Sequence, residues 1–248
     1  MHCWSGCDGG QVLREISKIM ELPDKVISLK RTTPAPNTTT PCVWVKSLWH
    51  NARTIVQGDL AARYFQARGI TLERFPDSLR FAPTCKITGE ANLISLPAVL
   101  ARFDDRDGRL STVHRIYLQE PGRKADVDRP KRICSSPAKG GAIRLFEPAK
   151  VIGIAEGIET ALACFVDTGI PTWATYSSSL MPFVTLPERI ESVVIFGDND
   201  LSGAGQKAAT QLQTRLLKEG KSVQMLIPPE QGRDWLDVLN DDTERGLV

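Results

Sequence analysis

Two stretches decide the fold: KVIGIAE at residues 150–156 and SVVIFGDND at 192–200. Each is a short β-branched run that ends on acidic residues. Between them, GIETALACFVDTG (157–169) places Ala161, Leu162 and Phe165 on one helical face, and TWATY (172–176) reads as another strand. Beyond them, GAGQKAATQLQTRLLKEG (203–220) reads as a helix that opens on glycines and closes on Gly220. SVQMLIP (222–228) is a fourth strand, and GRDWLDVLN (232–240) a short last helix. Strands and helices in alternation, with strands apolar on both faces, predict a parallel α/β sheet.

In an open parallel sheet, ligands bind beyond the carboxyl ends of the strands. Glu156 ends the first strand, and Asp198 with Asp200 ends the third. Crowded carboxylates repel one another, the more so when buried. A hard divalent cation, Mg²⁺ first and Mn²⁺ second, removes that cost. The turn Gly203–Gly205 leaves room for a phosphate at the start of the following helix. The alternative is that these acids only cap that helix.

Upstream, GDLAARYFQARG (58–69) reads as a helix stopped by Gly69, and ITLERFPDSLRFAP (70–83) as a turn-rich stretch. LISLPAVLARF and LSTVHRIYL flank the turn DDRDGR, which predicts a β-hairpin over 93–118. Residues 119–142, polar and rich in Arg, Lys, Pro and Gly, read as loop. TTPAPNTTTP (32–41) reads as a linker, and Val12, Leu13, Ile16, Ile19 and Met20 mark an amphipathic helix behind HCWSGCDGG.

The 248 residues suffice for a sizeable core, and 42% hydrophobic with 24% charged residues excludes disordered, fibrous and coiled-coil classes. No run approaches the ~20 apolar residues of a membrane span, and no signal peptide is read at the start, so a cytoplasmic location without membrane association is expected. Cys42, Cys85, Cys134 and Cys164 are scattered and read as ordinary buried thiols. The net charge of +2 hides an asymmetry: residues 1–155 carry 24 Lys+Arg against 15 Asp+Glu, and residues 156–248 carry 7 against 14. A basic front half points to a polyanion, an acidic back half to metal ions or solubility.

GIAEGIETALA, VVIFGDNDLSG and GRDWLDVL resemble the Toprim domain shared by bacterial-type primases, topoisomerases and some nucleases. HCWSGCDGGQVL resembles the closing half of the zinc ribbon of phage- and plasmid-type primases. YFQARGI, DGRLSTVHRIYL and KRICSSPAKGGAIRLFEP resemble the region between ribbon and Toprim in mobile-element primases. The resemblance implies an α/β fold in four parts: a zinc-ribbon remnant and helix (1–22), a linker region (23–57), a basic α+β subdomain (58–149) and a Rossmann-like Toprim domain (150–248), with the site between the last two. It implies Glu156, Asp198 and Asp200 as catalytic Mg²⁺ ligands. Arg115, Arg132, Lys139 and Asp234 would hold nucleic acid or nucleotide, with Asp237 as a neighbour of Asp234. Cys3 and Cys7 would belong to a zinc site whose ligand set is incomplete, since His2 is the one further candidate nearby. Thr160 stands where cellular primases carry an Asp, as in the mobile-element branch, with Glu159 beside it.

The function implied is synthesis of short RNA primers on single-stranded DNA from ribonucleoside triphosphates, in the replication of a mobile element and with a replicative helicase acting in trans. A Toprim nuclease and a non-catalytic nucleic-acid-binding fragment are the alternatives. Other signals are weaker. Gly220-Lys221-Ser222 resembles the end of a phosphate-binding loop, but Arg215 stands where its first glycine belongs, so no motor is expected. Ser177–Ser179 lacks a nucleophile-elbow context and reads as a polar rim. His50 and His114 are isolated and carry no His-based catalysis in this reading. Trp4, Trp44 and Trp49 suit base stacking or core packing equally.

Overall fold

The hairpin at 93–118 is the centre of an antiparallel sheet. β3 (Ser95–Asp104) pairs with β4 (Leu110–Gln119), and Ala101 lies opposite His114. The computed structural model describes residues 41–87 and 94–244, all within one compact unit, Asn37–Val248. The ribbon remnant with Cys3 and Cys7, the helix at 11–22 and most of the linker lie outside the described residues.

The hairpin gains strands on both sides. β1 (Arg53–Thr54) pairs with β2 (Leu79–Lys86), and β2 with β3. β5 (Arg123–Lys124) and β6 (Lys131–Ile133) both pair with β4. Three readings change here. Residues 79–86 are a strand, although Pro76 and Asp77 precede them and Pro83 lies inside: Pro83 sits at a register shift between Ala82 and Cys85, where the ladder needs no N–H from it. The polar stretch 119–142 contributes two short strands to its loops. The later part of the 23–57 linker region is folded: α1 (Val43–Asn51) lays Val45 and Trp49 on the sheet. α2 (Leu60–Gln66) packs Tyr64 and Phe65 on the other face, and Gly69, at φ 76°, follows it.

The second sheet is the parallel one. β7 (Val151–Ala155), β8 (Thr172–Ala174), β9 (Ser192–Phe196) and β10 (Ser222–Leu226) run in the order β10-β9-β7-β8. The helices between them are α3 (Ile158–Thr168), which ends on left-handed Gly169, and α4 (Ala204–Lys218). α5 (Trp235–Glu244) follows the last strand. The alternation expected from 150 onward is therefore present throughout. β7 must be glycine at 153: a Cβ there would lie 2.2 Å from Thr172 Oγ1 and 2.9 Å from the Phe196 ring.

One core joins the two sheets. Phe65, Val99 and Ile116 from the antiparallel side pack in the same cluster as Leu162, Phe196 and Leu239 from the parallel side. The far face of each sheet has its own cluster, one under α4 and one under α1. Both faces of β4 are thereby covered, and eight of its ten residues are buried.

Candidate active site

The chain lays β8 on one side of β7 and then crosses to lay β9 on the other. Where strand order reverses in this way, the strand-end loops part and leave a crevice. Ala155 lies opposite Phe196, so Glu156 and Asp198 leave the sheet at the same edge. A pocket of about 410 Å³ opens there. Its lining includes the acids Glu156, Asp198 and Asp234, the cations Arg68 and Lys131, and the neutral His114 and Tyr176.

Asp198 is the most perturbed of the acids. Burial, then the charges of Asp234, Glu156 and Asp200, push its carboxyl up to about 7, and its Oδ1 is buried with no hydrogen-bond partner among the described residues. Burial also raises Glu156, and the charge of Asp200 adds to it, while the Ser178 backbone and hydroxyl and the charge of Lys131 pull it back. That contact, and Ser177 in the lining, put the serine loop at the rim, as expected from its sequence. Asp234 opens α5 with a reciprocal cap: its Oδ1 accepts the N–H groups of Leu236 (2.8 Å) and Asp237 (3.0 Å), and Asp237 Oδ2 accepts the Asp234 N–H (3.1 Å).

Asp200 departs from its expected place. Its Oδ1 accepts the Ser202 N–H (2.9 Å) and Ala204 N–H (3.3 Å), and its Oδ2 the Gly205 N–H (2.6 Å). Those bonds, led by the Ser202 hydroxyl, hold its carboxyl below the usual range. The helix-capping alternative thus describes Asp200, which does not line the pocket, whereas it does not describe Asp198. Gly205 permits the cap, because a Cβ there would lie 2.8 Å from Asp200 Oδ2. Asp200→Ala should cost about 1 kcal/mol in urea unfolding, the usual value of such a cap. An unchanged midpoint would show that the turn holds without it.

Among the described residues, no three His, Cys, Asp or Glu side chains are grouped to hold a metal ion, so the expected trio of Glu156, Asp198 and Asp200 is not assembled as a ligand set. The donor chemistry nevertheless fits Mg²⁺, which takes one or two carboxylates and completes its shell with water and phosphate oxygens. Asp198, with an orphaned buried oxygen and like charges around it, is such a carboxylate, and Glu156 shares its pocket.

The expected cations are elsewhere. Arg115 is 2% exposed. Its guanidinium bonds the Tyr117 hydroxyl (2.9 Å) and lies toward Trp44 of α1, on the face of the sheet away from the pocket. Arg132, opposite Arg115 across the ladder, bonds the Asp128 carbonyl (2.8 Å). Lys139 sits over the Phe183 ring at 3.4 Å. None of the three lines the pocket. Side chains alternate along a strand, and it is the neighbours His114 and Lys131 that face the acids. Cys85 and Cys164 are buried as expected, Cys134 partly so, and Cys42 is exposed.

Glu159, beside the position where an Asp was looked for, is the buried hinge of this arrangement. Lys131 Nζ lies 2.7 Å and Lys124 Nζ 3.7 Å from its Oε1, and the Tyr64 hydroxyl donates to it at 2.7 Å. Burial opposes its ionisation, but Lys131, Tyr64 and Lys124 together hold its carboxyl down at about 2. One carboxylate on α3 thereby ties α2, β5 and β6 to the parallel sheet. The sequence signal for it was slight: an acid at a helical position that proves to face inward.

Residues 151–244 match the Toprim domain, so the C-terminal α/β part of this chain is a Toprim domain. Residues 43–145 match a domain of unknown function (DUF7146). The whole described fold is similar to those of DNA primases. A DNA primase domain from Pseudomonas aeruginosa aligns at 18% identity and a TM-score of 0.51, over 86% of this chain and 78% of that one. The zinc-binding and RNA polymerase domains of the Aquifex aeolicus primase align at 16% and 0.56, over 96% of this chain and 66% of that one. The E. coli primase catalytic core aligns at 16% and 0.51, over 80% and 75%. No curated protein matches the chain. Among the described residues no helix is long and apolar enough to cross a membrane.

Proposed function

We propose that the protein is a DNA primase-type nucleotidyltransferase that makes short RNA primers on single-stranded DNA, in the replication of a mobile element. The observation that carries this reading is the pocket at the strand-order reversal, where an unpartnered buried Asp198 oxygen, Glu156 and Asp234 share one space with Lys131 and Arg68. Phosphoryl transfer needs those two kinds of group together. Asp198, with Glu156 beside it, would hold Mg²⁺ or Mn²⁺, which supplies charge neutralisation on the triphosphate and lowers the pKa of the attacking 3′-hydroxyl. Lys131 and Arg68 would hold phosphate oxygens by charge-assisted hydrogen bonds. The 3′-hydroxyl oxygen attacks the α-phosphorus of the incoming ribonucleoside triphosphate, and pyrophosphate leaves. The released proton would pass to water, or to Glu156 if that carboxylate acts as general base in place of holding the metal. Lys139 and Arg132, which do not line the pocket, would hold template phosphates rather than the reacting ones. A replicative helicase in trans, zinc held by Cys3 and Cys7, and a cytoplasmic location belong to the same reading, as does a boundary at 149/150 between the basic subdomain and the Toprim domain.

The test is primer synthesis by the purified protein, with single-stranded DNA, labelled ribonucleotides and Mg²⁺. Short labelled RNA that disappears with EDTA is expected. Cleavage of the DNA in its place would identify a nuclease. DNA binding with neither product would identify a non-catalytic nucleic-acid-binding chain.

A further inference from the structure

His114 on β4 has no part in the reading above. It lines the same pocket as Asp198 and Lys131. It is 5% exposed, and neither ring nitrogen has a hydrogen-bond partner among the described residues. Buried polar atoms are normally paired, and one that is not calls for an explanation. The ring is neutral near pH 7: burial, the largest influence, pushes it down to about 4, the charges of Lys131, Arg115 and Lys124 push the same way, and that of Glu159 opposes them. A neutral imidazole offers one N–H donor and one acceptor. It is a poor match for a phosphate, which Lys131 and Arg68 suit, and a good match for an uncharged group that donates and accepts at once.

The neighbouring aromatic residue gives a second observation. Tyr176 meets the imidazole edge-on, with ring centroids 5.0 Å apart at 74°. Its backbone sits at φ 72°, a left-handed conformation that a bulky residue rarely adopts. Such outliers concentrate at ligand sites. Both imidazole nitrogens are shut from solvent. Tyr176 is itself half-buried and lines the pocket.

We infer that His114 is a specificity-determining residue of the nucleotide site, which hydrogen-bonds an uncharged group of the bound nucleotide, a sugar hydroxyl or a base edge, once Tyr176 swings aside. This rests on the nucleotidyl-transfer reading above, but its test does not require turnover. Binding of ATP, 2′-deoxy-ATP, 3′-deoxy-ATP, GTP, CTP and UTP is measured with Mg²⁺ for the full chain, for His114→Phe and for His114→Asn. His114→Phe should weaken binding about 10-fold, the worth of one hydrogen bond, and His114→Asn should recover part of it. A loss seen with ATP but not with one deoxy analogue, whose wild-type affinity is already low, locates the contact on that hydroxyl. A loss that varies among the four bases locates it on the base edge. The wild-type protein provides a reading free of folding effects: it has three histidines, and the ¹⁵N ring signals of His114 should move when ATP is added. Nucleotide binding that leaves those signals and the variants' affinities unchanged overturns this inference alone. A wild-type protein that binds no nucleotide overturns it together with the proposed function.

Discussion

Asp198→Asn should lower primer synthesis by about 10³-fold while leaving the metal-free protein as stable as before or more so. The activity term follows from the loss of a cation-holding charge worth several kcal/mol in the transition state. The stability term follows from the site itself. Burial and the charges of Asp234, Glu156 and Asp200 raise the Asp198 carboxyl to about 7, so its ionised form is disfavoured in the folded chain. A carboxyl raised on folding contributes stability below its unfolded value, near pH 4, and that contribution is lost as pH rises through about 7. In EDTA the wild-type melting temperature should therefore fall between pH 5 and pH 8 relative to that of the variant, and Mg²⁺ should reduce the fall. A variant that still makes primers would sink the assignment of Asp198. A variant that melts well below wild type at pH 8 would show that the acid is structural.

Glu159→Gln should destabilise the protein by about 1–2 kcal/mol, because the buried carboxylate's charge is lost while Lys131 and Lys124, partly exposed, can turn to water. Glutamine keeps the size and can still accept from Tyr64, so the loss isolates the charge that Lys131 and Lys124 face. The pH dependence has a definite sign. A carboxyl held at about 2 in the folded chain contributes stability at pH values above its unfolded value, near 4.5, and loses it as pH falls toward 2. The gap in urea midpoint between wild type and variant should hold from pH 7 to about 5 and close below that. Glu159→Met with Lys131→Met should recover part of the loss, since apolar replacement of both partners removes the desolvation cost. A gap independent of pH would mean that shape, not charge, makes Glu159 matter.

The parallel sheet was legible because its signals are local. VIGIA and SVVIF are β-branched runs bounded by glycines and acids, and the strand-end position of Glu156 and Asp198 follows from topology alone. β2 was hidden by Pro83, which reads as a breaker until the register shift beside it is seen. Which side chains of β4 and β6 line the pocket was hidden for a different reason. In LSTVHRIYLQ both faces of the strand are covered, so no alternation of polar and apolar residues says which way Arg115 points. A one-residue difference in parity decides between the α1 face and the pocket. His114 and Lys131 line the pocket, and their neighbours Arg115 and Arg132 do not. The cap made by Asp200 was hidden because the N-terminus of α4 offers N–H groups within its reach, and short-range backbone donors leave no sequence mark beyond the glycines that admit them.

The core that Phe65, Val99 and Ile116 share with Leu162, Phe196 and Leu239 bears on how such a chain can be rebuilt. The Toprim part is not a cassette that can be lifted out at residue 150 and spliced behind another upstream half. Its inward face was shaped against one particular sheet, and the graft would arrive with an apolar surface cut to fit a partner left behind. Recombination between relatives should therefore succeed where the crossover keeps both sides of that seam from one parent, and fail where it divides them.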